Sequence, residues 1–359
     1  MTPDRTAAPG AVRARAAADA VVPSPVVPSP VVPSPVVPSR VAPGPVVPSH
    51  VAPGPAVRGA AHPRVPAGPA CTAPRPRPAP SGAVRFAVLG DSLSEGVGDR
   101  VDGAWRGWAR LLADGLTAER RDTALLNLAA GGALSGDVAH RQAARALAFR
   151  PHLASVVVGV NDTLRRTFDI GALARDLGRV CADLDAAGAV LLTACLPDPG
   201  RMLGLPPPLA RPLARRQRSV NAVVHALSDR YGAVHLHLAS DGWTADRALW
   251  SADRLHPGER GHRAVARGFH RLLADRGLAH GVPPAPEPAQ PPPSRADTVL
   301  WLATAGTGWL LRRSHDLLPQ LLLLAGAELR HWADGTGPAP LDARADTALA
   351  AALTATMGR

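Results

Sequence analysis

The chain has 359 residues, 40 basic against 29 acidic side chains, a formal net charge of +11 and 46% apolar residues. That apolar content is enough for a packed core, which excludes wholesale disorder. A nucleic-acid binder concentrates its charge on one face, often beside stacking aromatics. Beyond residue 82 arginine and acids are interspersed, and aromatics make up only 3% of the chain, so no nucleic-acid partner is expected. The cysteines, Cys71, Cys181 and Cys195, are odd in number and lack C-x-x-C spacing. A disulfide framework and a zinc ribbon are both excluded.

In chain order, residues 1–82 come first as a low-complexity, Pro-rich tail. The unit V-V-P-S-P repeats from Val21 to Pro35, and eight arginines stand against Asp4 and Asp19. Proline fixes φ and removes backbone donors, so this stretch reads as disordered or polyproline-like, without a core. Its prolines also break any signal-peptide apolar region, and no run of 18 apolar residues follows anywhere. A cytoplasmic protein is therefore expected.

From residue 83 to 280 the pattern alternates. Strand-length apolar runs lie at Arg85–Leu89, Leu125–Ala129, Ala154–Val160, Val190–Cys195 and Ala233–Leu238. Helix-period segments lie at Trp105–Leu116, Gly136–Phe149, Ile170–Ala187, Leu213–Tyr231 and Pro257–Arg276. Short apolar strands alternating with helices predict an α/β domain, its parallel sheet covered on both faces. Such sheets place ligands at the carboxyl ends of their strands. A Pro-rich linker is expected at 281–295, and an apolar helical segment at 296–359.

Chemistry-bearing residues gather at those strand ends. The first strand runs into G-D-S-L-S-E-G, which puts Ser92 in a Gly-flanked turn with its hydroxyl over the sheet edge. Position 94 is Ser, so this is not the G-x-S-x-G elbow; P-loop and G-x-G-x-x-G patterns are also missing. The second strand ends N-L-A-A-G-G-A, where Gly131 and Gly132 free two backbone N–H groups. The third ends V-V-V-G-V-N-D, and Asn161 supplies a side-chain N–H where an oxyanion would form. Later comes W-S-A-D-R-L-H-P-G-E. The Asp253–His256 spacing lets the carboxylate reach Nδ1 and leave Nε2 as a base.

In that order, G-D-S-L, N-L-A-A-G-G-A, G-V-N-D and D-R-L-H-P resemble the blocks of the SGNH, or GDSL, hydrolase superfamily, over residues 84–278. The resemblance implies a flavodoxin-like three-layer α/β/α sandwich with strand order 2-1-3-4-5. It implies Ser92 as nucleophile, His256 as general base held by Asp253, and an oxyanion hole of the Ser92 N–H, Gly132 and Asn161. Gly132 is preferred over Gly131 because the family's glycine usually stands directly before a small residue, here Ala133. The expected activity is hydrolysis of a small-molecule ester through an acyl-enzyme, with no cofactor and no metal. Acyl transfer to an alcohol is the alternative within catalysis, and a non-catalytic binding module the alternative outside it.

Other residues read as structural. Asp91 and Asp162 are expected to hold turn backbones. His235 and His237 form H-x-H on one strand face, without a third ligand nearby in sequence. Trp105, Trp108, Trp243 and Trp250 are expected in the core or cleft wall, with Trp250 beside the acyl pocket. Beyond the linker, two apolar pieces read as helices docked on protein. The less favoured reading is an interfacial anchor through 296–334, with Arg312, Arg313 and Arg330 at headgroups and Trp301, Trp309 and Trp332 at the boundary.

Overall fold

The computed structural model of the chain describes residues 83–118, 122–289, 291, 294–301, 303–304 and 317–358. The Pro-rich 1–82 tail, Trp309, Arg312 and Arg313 lie outside the described residues, as does the side chain of Trp301.

Five strands form the main sheet: β1 (Val84–Gly90), β2 (Thr123–Asn127), β3 (Leu153–Val157), β4 (Val190–Cys195) and β5 (Val234–His237). Their spatial order is 2-1-3-4-5, and every pairing is parallel. The register aligns Val88 with Asn127 and Gly90 with Val157, so the ends of the three neighbouring strands open onto one edge. β1 is apolar on both faces, as a central parallel strand must be. Side chains alternate along it. Ala87 and Leu89 enter one core with Leu173, Leu177 and Val223. Phe86 and Val88 enter the other with Trp108 and Phe269. The helices Ile170–Ala186 and Pro207–Arg230 cover the first face, and Gly107–Leu116 with Glu259–Ala274 the second. The fold is the expected three-layer α/β/α sandwich.

Several boundaries differ from the periodicity, each for a local reason. β3 stops at Val157, because Gly159 adopts φ 132° and Val160–Thr163 turns into a short helix. The helix expected from Trp105 begins at Gly107, because Ala104–Trp105 pairs antiparallel with Arg100–Val101. Trp105 is consequently exposed, with the Arg100 guanidinium over its ring, and is neither core nor cleft wall. The segment 135–148 is interrupted by a π-helical turn, Val138–Gln142. The fourth helix starts at Pro207 rather than Leu213, since proline suits a first turn whose N–H groups have no intrahelical acceptor. The last helix of the domain starts at Glu259 rather than Pro257, because Pro257 pairs with Trp250.

The Pro-rich stretch after this domain runs along the helix Glu259–Ala274. Arg267 donates to Pro284 O at 2.7 Å and Arg263 to Ala285 O at 3.1 Å. Beyond it, the helices Leu317–Ala333 and Ala339–Met357 pack on the face made by 170–186 and 207–230. Leu321 meets Leu213, while Leu349, Ala352, Leu353 and Met357 join the larger core. Arg215 pairs with Glu328 and Asp342, both at 2.7 Å. Trp332 stays exposed. Among the described residues, no helix is long and apolar enough to cross a membrane.

Candidate active site

At the carboxyl end of β1, Gly90 takes φ 153°, and a side chain there would strike the carbonyl of Val157. Glycine is therefore required where the chain leaves the sheet. Buried Gln142, placed by the π turn, clamps this residue. Its Oε1 accepts from Gly90 N at 2.8 Å and its Nε2 donates to Gly90 O at 2.9 Å. Asp91 then caps the helix Ser92–Glu95, its Oδ1 accepting from Leu93 N at 3.1 Å. These constraints fix Ser92 as the first residue of a short helix, with its N–H outside the intrahelical ladder.

The segment Trp250–Gly258 closes over Ser92 from the other side. Ser251 N donates to His256 O at 2.9 Å, and Gly258 N to Leu249 O at 2.8 Å. Arg254, between the two chemical groups, holds a left-handed φ of 58°, a conformation uncommon outside glycine and typical of tightly determined site loops. The turn folds Asp253 back under His256. Asp253 Oδ1 accepts from Ser251 Oγ at 2.7 Å and from the backbone N–H groups of Leu255 and His256 at 2.9 Å. Its Oδ2 lies 2.6 Å from His256 Nδ1, and His256 Nε2 lies 2.8 Å from Ser92 Oγ. The structure thus brings Ser92, His256 and Asp253 into one continuous chain of hydrogen bonds. Ionised Asp253 accepts from Nδ1–H, which leaves Nε2 free to take the hydroxyl proton.

Burial pushes the Asp253 carboxyl up, but hydrogen bonds and charge from His256, with the Ser251 hydroxyl, outweigh it and bring it down to about 2. Because this folded-state value lies below the ordinary 3.8, ionised Asp253 contributes stability above about pH 4 and loses it as pH falls toward 2. Asp253→Asn is expected to cost about 2 kcal/mol at pH 7, the gap closing over that acid window. Urea unfolding at several pH values checks this; a gap that stays constant down to pH 2 contradicts it.

Asn161 lies on the short helix Val160–Thr163, next to this chain. Its Nδ2 donates to Asp91 Oδ2 at 3.3 Å and to Ala133 O at 3.2 Å. Gly131 and Gly132 border the same cavity, and Gly132 has φ 79°. Asp91 therefore does more than cap a turn. It is fully buried, and burial raises its carboxyl to about 7 against the lowering effects of Leu93 N–H and His256. Asp162 holds the Ser135 turn as expected, accepting from Ser135 Oγ at 2.6 Å and from Ser135 N at 3.2 Å.

Residues 88–264 match the family model described as the GDSL-like Lipase/Acylhydrolase family. The match supports an ester hydrolase over that span. Solved structures that resemble the chain include a psychrotrophic esterase, EstA, from Pseudoalteromonas sp., at 22% identity over 53% of this chain and 97% of that one, with a TM-score of 0.43. TesA is similar at 22% identity, 54% and 99% coverage and a TM-score of 0.44. An acetylxylan esterase from Geobacillus stearothermophilus matches at 18% identity, 54% and 95% coverage and a TM-score of 0.43. Comparison with curated proteins gives no match.

The cavity of the GDSL-like domain holds about 270 Å³ and borders Ser92, His256 and Asn161 directly. Its walls are mainly apolar: Leu93, Val160, Leu196, Met202, Leu238, Trp243 and Trp250 contribute. Trp250 lies at the pocket as expected, edge-on to Trp243 at 5.8 Å.

Three supports of the GDSL-like site were not legible in sequence. Gln142 is one. His262 is another: its Nδ1 accepts from Trp108 N at 3.2 Å and its Nε2 meets Val97 O at 3.0 Å. Burial brings His262 down to about 4, so it is a neutral strut at pH 7. The third is Arg106, which joins Asp99 and Glu259 at 2.9 Å each and ties the 99–107 loop to the helix that follows His256. The available signal was weak: a polar residue at an apolar helix position, as at Gln142 and His262, has many explanations.

Proposed function

We propose that the GDSL-like domain is a serine-dependent acyl-ester hydrolase that works through an acyl-enzyme at Ser92. The observation that carries this reading is the unbroken chain Asp253–His256–Ser92, at 2.6 and 2.8 Å, opening into an apolar cavity. Ser92 Oγ attacks the ester carbonyl while His256 Nε2 takes its proton. Negative charge then develops on the carbonyl oxygen. The N–H groups of Ser92 and Gly132 and the Asn161 side chain stabilise it. Collapse expels the alcohol, protonated by His256, and leaves the acyl group on Ser92. Water attacks next, giving its proton to His256, and the carboxylic acid departs as Ser92 is restored. The acyl group lies against Leu93, Leu238 and Trp250, which exclude water from one side of the ester.

Asn161 must exchange a partner during this cycle. Its bond to Ala133 O is long and neutral, and the oxyanion offers a stronger, charge-assisted one in its place. Asn161→Ala is accordingly expected to lower kcat by roughly 10²–10³ with little change in KM. Steady-state kinetics check it, and an effect confined to KM would assign Asn161 to ground-state binding instead.

The reading is tested by a hydrolysis panel of p-nitrophenyl esters, acetyl to palmitoyl, combined with labelling by a fluorophosphonate. Ester turnover and a single adduct on Ser92 are expected. Turnover that survives with the adduct on another residue, or no adduct at all, overturns the assignment.

A further inference from the structure

Away from Ser92, the carboxyl ends of β4 and β5 gather four side chains that the mechanism does not use. The parallel register pairs Thr193 with His235 and Cys195 with His237. Alternation puts all four on one face of the sheet, the face covered by the helix Pro207–Arg230. That helix adds His225 above them. The ring centroids of His225, His235 and His237 stand 4.7 to 5.4 Å apart, and Cys195 Sγ lies 3.6 Å from His237 Nδ1. One donor atom from each of Cys195, His225, His235 and His237 lies within 4.8 Å of all the others.

Simple packing accounts poorly for this cluster. Nε2 of both His225 and His235 is buried with no hydrogen-bond partner. Buried polar atoms are normally paired, and each left unpaired costs about 1–3 kcal/mol. The opposite nitrogen of His235 is held firmly: Nδ1 lies 2.9 Å from Thr193 Oγ1 and 3.1 Å from Ser228 Oγ. One ring nitrogen held by an outer hydrogen bond, the other left bare, is how proteins present histidine to a metal.

We propose that Cys195, His225, His235 and His237 bind a divalent transition-metal ion of the zinc class. One thiolate and three imidazoles are borderline-to-soft donors, which disfavours calcium and magnesium. Around a tetrahedral ion, donors stand about 3.3–3.8 Å apart, from metal–ligand bonds of about 2.0–2.3 Å. The Cys195–His237 separation already falls in that range, and the other donors reach it by small rotations of the rings. Four protein ligands close the coordination shell, so the ion is structural and holds no reacting water. His237 is exposed and gives the ion its way in. Leu196 and Leu238 follow directly on Cys195 and His237 and line the catalytic cavity. The ion therefore pins the ends of β4 and β5 beneath that wall.

Cobalt is the probe. The reduced full-length protein, stripped with a chelator, is titrated with Co²⁺ and then challenged with Zn²⁺. The expected result is one Co²⁺ per chain with a thiolate-to-cobalt charge-transfer band and the strong visible bands of a tetrahedral ion, displaced by one equivalent of Zn²⁺. Zn²⁺ also raises the thermal midpoint, as any ligand of the folded state does. Cys195→Ser is expected to lose the charge-transfer band. Thr193→Ala, which leaves His235 Nδ1 to Ser228 alone, is expected to weaken Co²⁺ binding by about 10-fold. His237→Ala, at an exposed position, weakens binding with the fold intact and keeps the test decisive if the buried Cys195 variant fails to fold. No saturable Co²⁺ binding, or spectra unchanged by Cys195→Ser or His237→Ala, overturns the proposal.

Discussion

Ser92→Ala is expected to lower kcat for ester hydrolysis by about 10⁴–10⁶, with the fold retained. The hydroxyl oxygen is the only heavy atom this substitution removes, and it is the atom 2.8 Å from His256 Nε2. On the proposed mechanism, no acyl-enzyme forms without it. The residual rate is that of the surrounding donors acting on attack by water. The turn itself survives, because Gln142 clamps Gly90 and Asp91 caps Leu93 without help from the hydroxyl. Single-turnover kinetics with a chromogenic ester check both parts: the acylation burst disappears and the far-UV spectrum does not change. A variant that retains more than about a tenth of the wild-type rate removes Ser92 from the chemistry, since no serine nucleophile is that dispensable.

His256→Ala is expected to cost a comparable factor, about 10⁴–10⁶ in kcat, because the imidazole is needed twice. In the proposed mechanism it takes the Ser92 proton during acylation and a water proton during deacylation. The substitution also strands Asp253, whose Oδ2 loses its 2.6 Å partner while Oδ1 keeps Ser251 and two backbone N–H groups. Residues that act as one unit do not add. The double variant Ser92→Ala/His256→Ala is therefore expected to be no slower than either single variant within about tenfold. Multiplying losses would show that the two residues serve separate steps. Asp253, at about 2, stays ionised far below neutral pH, so its carboxylate is there to hold the imidazole under assay conditions.

The two kinds of information divide along a physical line. The five strands of the main sheet, the helix alternation and the parallel pairing follow from the sequence, because apolar runs such as Ala154–Val160 and the amphipathic Ile170–Ala187 bury faces set by local periodicity. Ser92, Gly132, Asn161, Asp253 and His256 stood out as candidates because each sits in a short block at a strand end or helix start, and sheet topology carries such ends to one edge. Turns governed by a single residue were less legible. Gly159 cuts β3 short, and the Ala104–Trp105 pairing carries Trp105 out into solvent. Contacts between residues far apart in sequence were not legible at all. Gln142 reaches Gly90 across 52 residues and His262 reaches Trp108 across 154. The H-x-H pair of β5 gave no hint of its neighbours, since Cys195 comes from the adjacent strand and His225 from the helix packed above it. A local pattern records which face a residue occupies; only the folded chain decides which other faces it meets.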